Sequence, residues 1–363
     1  MLLIFTVIFV ALVFTFINGF HDTANSIATV VATKVLSPRQ AVLLAAVTNL
    51  IGGFFGLNVA KTISSGIVDA KVATSQVLLC ALFAAILWNL LTWWFGMPSS
   101  SSHALIGSLC GASVAAAQNN WHVLIWSVPA GGHWWKYGGI FWKVIVPMIS
   151  SPVCGFFLGF LVMAILYFLL RNWRPVRVNK TFGVLQLFSS GYMGFAHGTN
   201  DATKTMGIIA LALFTGTTSG AFAHLPAWLN FLQTPPPEAG QQLYIAKWII
   251  VVCSLTMCLG TAVGGWRIIK TLGHKMVKIH PVHGFAAETT SATILFTTAL
   301  LGMPVSTTHA VTASIMGVGC AKSPNALRLI VVERILWAWI MTLPISGGVA
   351  YAFVKIAQTA GWM

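Results

Sequence analysis

The sequence predicts an all-α integral membrane protein of about ten transmembrane segments, arranged as two inverted-topology repeats. Three observations carry that prediction. Only 20 Lys/Arg and 6 Asp/Glu are charged, 7% of 363 residues, where a soluble domain carries about 25%. Long apolar runs follow one another along the chain, with 57% hydrophobic residues and a mean hydropathy of +0.84. Two polar motifs, each embedded in apolar sequence, occur twice. So little charge cannot cover a water-facing surface, and runs near the ~20 residues that cross hydrocarbon select helices.

The first run, 1–33, lacks a basic n-region and ends in polar residues rather than at a small-residue cleavage site. It reads as a first span, interrupted near 18–26, and not as a cleaved leader. Runs at 40–60 and 76–95 follow. The next, 97–117, begins at Pro98 and is rich in Ser and Gly, so it either crosses or re-enters. The run 141–170 closes a first repeat (1–170), and a basic cytoplasmic linker (171–181) leads to the second (182–363). There, 182–214 is interrupted near 197–205, and an extracytoplasmic loop at about 215–243 holds Pro235-Pro236-Pro237. Runs at 245–266, 284–301, 304–321 and 327–357 complete the chain; the one opening at Pro304 again crosses or re-enters.

The repeat is explicit. Asn18-Gly-Phe-His-Asp-Thr-Ala-Asn-Ser26 aligns with His197-Gly-Thr-Asn-Asp-Ala-Thr-Lys-Thr205 at an offset of 179. Gly96-Met-Pro-Ser-Ser-Ser-Ser-His-Ala104 aligns with Gly302-Met-Pro-Val-Ser-Thr-Thr-His-Ala310 at 206, the difference falling in the longer second-half loop. Two halves of five segments each enter the membrane from opposite sides, an arrangement used by many secondary transporters. The basic residues agree. With both termini outside, thirteen Lys/Arg fall in inside loops, six outside, and Lys204 alone within the membrane, the bias expected of cytoplasmic loops. The net charge of +14 therefore orients the chain and gives no reason to expect nucleic acid. Trp93-Trp94 and Trp134-Trp135 suit interfacial belts. Six cysteines without CxxC spacing support neither disulfides nor zinc.

Asp22 and Asp201 occupy equivalent positions inside apolar runs. A carboxylate at membrane depth costs at least ~2.5 kcal/mol, so a repeated one points to a cation site or a proton relay; the plain alternative is a helix end at the headgroups. Gly19 and Gly198 precede them and would let the helix unwind, freeing carbonyls for a cation. Asn25 and Asn200 add neutral oxygens suited to a hard ion, and Lys204 sits one turn past Asp201, placed to pair with it. In the other motif, Pro98 and Pro304 are followed at once by hydroxyls and then by His103 and His309. Helix starts inside a membrane offer free N–H groups, hydroxyl donors and a positive dipole end, an anion site for a small tetrahedral oxyanion. Close helix packing is the plain alternative for membrane Ser/Thr. His103 and His309 either donate to the anion, cap their helices or sit satisfied in the core. His21 and His197 flank the acids and either titrate near neutral pH or serve an interfacial structural role. Glu288 has no repeat mate and is either a coupling carboxylate or a helix-terminal charge.

His21-Asp-Thr-Ala-Asn-Ser, Gly198-Thr-Asn-Asp-Ala-Thr-Lys204 and Pro304-Val-Ser-Thr-Thr-His309 resemble the signature motifs of the inorganic phosphate transporter (PiT) family, over nearly the whole chain. The resemblance implies a secondary symporter, not an enzyme, that takes up orthophosphate with protons or sodium. It implies two hairpins meeting at the substrate, a homodimer, and multi-pass residence in the plasma (inner) membrane. It would set Ser100, Ser101, Ser102, Ser306, Thr307 and Thr308 against phosphate, and Asp22, Asn25, Asn200, Asp201 and Glu288 at the coupling cation, with no cofactor and no metal beyond a sodium ion there. His21, His103, His197, Lys204 and His309 would be proton-carrying or accessory. The chain departs from the family where an Asn before the first Asp is His21, and where a Glu of many sodium-coupled members is Asn49. That resembles the bacterial low-affinity branch, implying proton coupling and acceptance of divalent metal–phosphate complexes. Three rival readings are a sulfate permease of the same fold, an intramembrane Ser/His hydrolase, and an open channel, the last disfavoured by the duplicated, broken site expected of alternating access. The hydrolase is disfavoured because a catalytic triad is asymmetric whereas these residues come in pairs.

Overall fold

The structure, a computed structural model, describes residues 1–129, 133, 137–223, 225–235, 243–272, 279–323 and 327–363. Trp134, Trp135, Pro236 and Pro237 lie outside the described residues. Among the described residues the chain is helical with no strand, only isolated bridges at Val68–Leu124 and Val128–Gly138. In order, the helices are α1 (Leu2–Ala32), α2 (Pro38–Gly53), α3 (Leu57–Ser65), α4 (Ser75–Trp94), α5 (Ser101–Ala116) and α6 (Val146–Leu170, led in by a π-turn over Phe141–Ile145). After them come α7 (Pro175–Thr218), α8 (Lys247–Val263), α9 (Trp266–Lys270), α10 (Pro281–Leu300), α11 (Thr307–Lys322) and α12 (Leu329–Thr359).

Among the described residues, four helical stretches are long and apolar enough to cross a membrane: Leu2–Ala32, Ser75–Trp94, Phe141–Leu170 and Leu329–Thr359. The α2–α3 pair, bent by 65° at its break, makes a fifth. The Pro98 and Pro304 segments form α5 and α11, 16 residues each and so about 24 Å long at 1.5 Å per residue.

Two expectations change. The expected interruptions at 18–26 and 197–205 are absent: α1 and α7 run unbroken through both Asp motifs. The glycines serve close crossings instead of unwinding. A Cβ on Gly19 would stand 2.7 Å from Met257 O on α8, and one on Gly198 would stand 2.8 Å from Asn49 Cα on α2. Secondly, the basic stretch 171–181 is a connection only up to 174, because Pro175 opens α7 at a position where proline's missing N–H is no loss. The 44 residues of α7 span about 66 Å, well beyond a ~30 Å hydrocarbon core.

Two helical hairpins define the interior. In α4–α5 and α10–α11, a glycine with positive φ makes the turn: Gly96 (63°) and Gly302 (65°), whose missing Cβ permits the left-handed backbone. Ser100 caps α5 by accepting from His103 N at 3.1 Å, and Ser306 caps α11 through His309 N at 3.2 Å. The halves are not separate bodies: α6 packs on α11 and α12 on α5. Small residues allow these crossings. A Cβ on Gly159 would lie 2.7 Å from Ser314 O, and one on Gly107 would lie 2.6 Å from Leu343 O.

Candidate functional site

Both hairpin tips reach the middle of α1 and α7, where their hydroxyls meet buried polar side chains of both helices. His21, Asp22 and Asn25 come from α1; His197, Asn200, Asp201 and Lys204 come from α7; all are at most 2% exposed. Residues one turn apart share a helix face, so each motif aims Asp and its i+3 neighbour at the same hairpin tips.

The contacts come in equivalent pairs. Ser101 Oγ donates to Asp22 Oδ2 at 2.5 Å, and its counterpart Thr307 donates to Asp201 Oδ2 at 3.4 Å. Asn25 Nδ2 donates to Thr308 Oγ1 at 2.9 Å and to Thr307 Oγ1 at 3.2 Å. At the position equivalent to Asn25, Lys204 donates to Ser102 Oγ, the equivalent of Thr308, to Asp201 Oδ1, and to Val305 O at 3.2 Å. The ion pair expected between Lys204 and Asp201 is therefore formed. Each Asp helix holds the hairpin of its own half by the carboxylate and the other half's hairpin by the residue three further on.

Each carboxylate also has an imidazole. His21 Nδ1 lies 2.8 Å from Asp22 Oδ1, so that nitrogen donates to the carboxylate, while Nε2 lies 3.1 Å from Thr92 Oγ1. Ser99 donates to the same Thr92 hydroxyl at 2.8 Å. His197 Nε2 is 3.2 Å from Asp201 Oδ2 without hydrogen-bond alignment. Its Nδ1 lies 3.0 Å from Asn49 Oδ1, and Asn49 Nδ2 donates to Thr261 Oγ1 at 3.0 Å. Asn49 thus orients His197. One ligand atom from each of Asp22, His197 and Asp201 lies within 4.8 Å of the others, close enough to hold one cation between them. Both amide atoms of Asn200 and Oδ1 of Asn25 are buried with no hydrogen-bond partner among the described residues; buried polar atoms normally have one, so these remain available to a bound ion or anion.

The structure separates His103 and His309 from the hydroxyl network. Their rings meet edge to face at 4.7 Å, His309 stacks on Trp339 at 4.1 Å, and their ring nitrogens have no partner among the described residues. Glu288 forms its own cluster. Its Oε1 accepts from Thr29 at 2.5 Å and from Gln186 at 2.9 Å, and its Oε2 accepts from Ser189 at 2.5 Å. Gln186 Oε1 in turn accepts from Thr33 at 2.9 Å. Sequence reasoning overlooked Gln186, Ser189 and Thr29, as well as Thr92. For the first three the available signal was a polar residue where its repeat counterpart is apolar, Gln186 falling opposite Val7 at the offset of 179, whereas Thr92 falls opposite Thr298 at 206.

A sequence profile described as the phosphate transporter family matches residues 18–350, both Asp motifs and both hairpins included. The chain belongs to that family. It is 42% identical over 362 residues to a probable low-affinity inorganic phosphate transporter of Bacillus subtilis (strain 168), covering 98% of each chain. It is 43% identical over 336 residues to one of Rhizobium meliloti (strain 1021), covering 92% of this chain and 90% of that one. Its fold resembles the solved structure titled the sodium-dependent phosphate transporter, with a TM-score of 0.79 at 21% identity over 99% of this chain and 100% of that one. This family member is a multi-pass membrane protein that transports phosphate and is not an enzyme, which removes the hydrolase reading; the sulfate reading finds no support in these relatives.

Proposed function

We propose that the protein is a secondary active symporter that imports inorganic phosphate across the plasma (inner) membrane, driven by protons, with sodium the alternative driving ion. The observation that carries this is the set of hydroxyls on α5 and α11 held by the carboxylates and by Lys204. The unprotonated oxygens of phosphate accept hydrogen bonds, and the donors at the hairpin tips are Ser100, Ser101, Ser102, Ser306, Thr307, Thr308 and Lys204. Asp22 accepts the hydrogen bond of Ser101, while Asp201 accepts those of Thr307 and Lys204. Carboxylate and phosphate therefore compete for the same donors. A cation that neutralises Asp22 or Asp201 releases the donors to phosphate, which makes anion binding dependent on the coupling ion. Charge supports the same linkage. Asp22, Asp201 and Lys204 leave the buried site one negative charge in excess, so phosphate entering alone would add an unpaired charge in low dielectric.

The proton is favoured over sodium because imidazole nitrogens flank both acids. Sodium is a hard ion better served by oxygen ligands, whereas His beside Asp is suited to passing a proton. Glu288 serves as a further coupling carboxylate, its link through Gln186 to Thr33 leading toward the linker end of the bundle. The 179 and 206 offsets and the paired contacts support two inverted repeats, and the basic-residue bias supports extracytoplasmic termini. The 16-residue α5 and α11 fall short of a ~30 Å core and so suit re-entrant hairpins. Pairing into homodimers and carriage of divalent metal–phosphate complexes enter the proposal through the family resemblance.

The test is uptake of labelled phosphate by purified protein in liposomes under an imposed proton gradient or an imposed sodium gradient. Accumulation under the proton gradient alone is the expected result. Uptake driven by neither overturns symport, and uptake driven by sodium alone at clamped pH overturns the choice of ion.

A further inference from the structure

Away from the central site, α6, α7 and α10 meet around a cavity of about 290 Å³. Its walls are mostly apolar, from Met163, Leu170, Val178 and Val282, with Asn179 and His283 also in the lining and the exposed Arg171 and His280 beside them. No acid among the described residues lines it. Alongside, α6 presents Phe168 and Leu169 outward, 65% and 62% exposed, so the cavity adjoins the apolar flank of that helix. The Arg171 guanidinium lies 4.9 Å above the Phe168 ring, and Arg177 lies 4.6 Å above Trp173, pairs typical of a membrane–water boundary.

A free donor also faces this space. The His280 main-chain N–H donates to His283 Nδ1 at 2.9 Å, so that nitrogen carries no proton and the ring is neutral. His283 Nε2–H then donates to Tyr167 Oη at 2.8 Å. The Tyr167 hydroxyl, accepting there, keeps its own proton for another acceptor, and Tyr167 is part of the cavity lining. Apolar walls, a cationic edge and an uncommitted O–H describe a ligand that is hydrocarbon at one end and an oxyanion at the other.

We propose that this cavity binds an anionic phospholipid of the inner leaflet, with its phosphate on Arg171, His280 and Tyr167 and the upper part of one acyl chain against Met163 and Val282. Basic pockets between spans on the cytoplasmic side are where such headgroups bind; the choice of leaflet rests on the topology under Proposed function, whereas the site itself does not. The lipid would bridge α7, which carries Asp201, to α10, which carries Glu288. Free orthophosphate shares the headgroup chemistry but leaves the apolar walls unfilled.

Native mass spectrometry of the purified full chain with phosphatidylglycerol or phosphatidylcholine tests this. Phosphatidylglycerol is expected to be retained over phosphatidylcholine. Arg171→Ala should weaken retention about fivefold, the attraction of one basic residue for an anionic headgroup. The near-isosteric Tyr167→Phe, which keeps the packing, should weaken it severalfold. Equal retention of the two lipids, no change in either variant, or displacement by millimolar orthophosphate overturns the proposal. Labelling of Arg171→Cys by an impermeant thiol reagent reports separately on sidedness: reaction from outside overturns the assignment to the inner leaflet and the topology with it, while the lipid comparison still decides the site.

Discussion

Lys204 is the place where charge, packing and transport meet, and replacing it gives the sharpest test. Lys204 and Asp201 are 1% and 0% exposed. The ammonium pairs with Asp201 and also donates to Ser102 and to Val305 O. The remaining contacts of Asp201 are weak: Thr307 at 3.4 Å and a misaligned His197 at 3.2 Å. In Lys204→Met the stem is replaced by a chain of similar girth, and the carboxylate is left buried with little compensation. Removing one partner of a buried pair costs about 3–5 kcal/mol, whereas removing both is often close to neutral. Asp201→Asn alone leaves the ammonium unpaired and should cost a similar amount. The double variant Asp201→Asn/Lys204→Met should therefore recover most of the loss, a coupling of about 3 kcal/mol or more across the cycle. Melting temperatures in one detergent at one scan rate should rank wild type and double variant above both singles, with no driven phosphate uptake in any of the three variants. A double variant that melts at or below Lys204→Met refutes the reasoning, because the pair would then not be compensating a buried charge.

Three further outcomes follow from the same geometry. Asp22→Asn should abolish gradient-driven uptake in liposomes while the protein still inserts and elutes as wild type, since the amide cannot carry the coupling ion; driven uptake at the wild-type rate would remove Asp22 from the site. Asn49→Leu strips His197 Nδ1 of its 3.0 Å partner, and losing one buried hydrogen bond, worth about 1–3 kcal/mol, should slow driven uptake roughly tenfold or more with phosphate binding retained. Gly198→Ala puts a Cβ 2.8 Å from Asn49 Cα, so α2 must shift and melting should report a loss of about 1–3 kcal/mol, the usual cost of overpacking; an unchanged melting temperature would mean the crossing is looser than described.

Much of the site was legible because it is written twice. Asp22 and Asp201 matched at one offset, and Ser101/Thr307 and Ser102/Thr308 at another, and duplication of costly polar residues in apolar sequence is itself the signal. The pairing of Lys204 with Asp201 followed from helix periodicity. What could not be read were contacts between residues far apart in the chain with no second copy, such as Asn49 with His197 or Gln186 with Glu288, 148 and 102 positions apart. The glycines misled for a different reason. A glycine beside a buried Asp is compatible with an unwound helix or with a helix pressed against a neighbour, and only the positions of Met257 and Asn49 decide for the second.

The repeat is also informative where it fails. At the same offsets, Glu288 falls opposite Leu82, Gln186 opposite Val7, Ser189 opposite Val10 and Thr29 opposite Ile208. All four counterparts are buried apolar side chains, 0 to 6% exposed. The second half's Glu288, Gln186 and Ser189 with the first half's Thr29 thus surround a buried carboxylate with three donors, and the symmetry-equivalent volume is filled with hydrocarbon. The central Asp and hydroxyl contacts are nearly exchanged by the repeat, so they do not by themselves distinguish one side of the membrane from the other. The Glu288 cluster does. Its link through Gln186 ends at the half-buried Thr33, at the linker end of α1 and α7, whereas the equivalent position is closed by Val7, Val10, Leu82 and Ile208. In the proposed topology, an ion leaving the Asp pair finds a second buried carboxylate with its donors in the cytoplasmic direction, while the equivalent outer position must open by separating packed apolar side chains. Two halves with the same fold and the same central chemistry would thereby acquire two unlike gates.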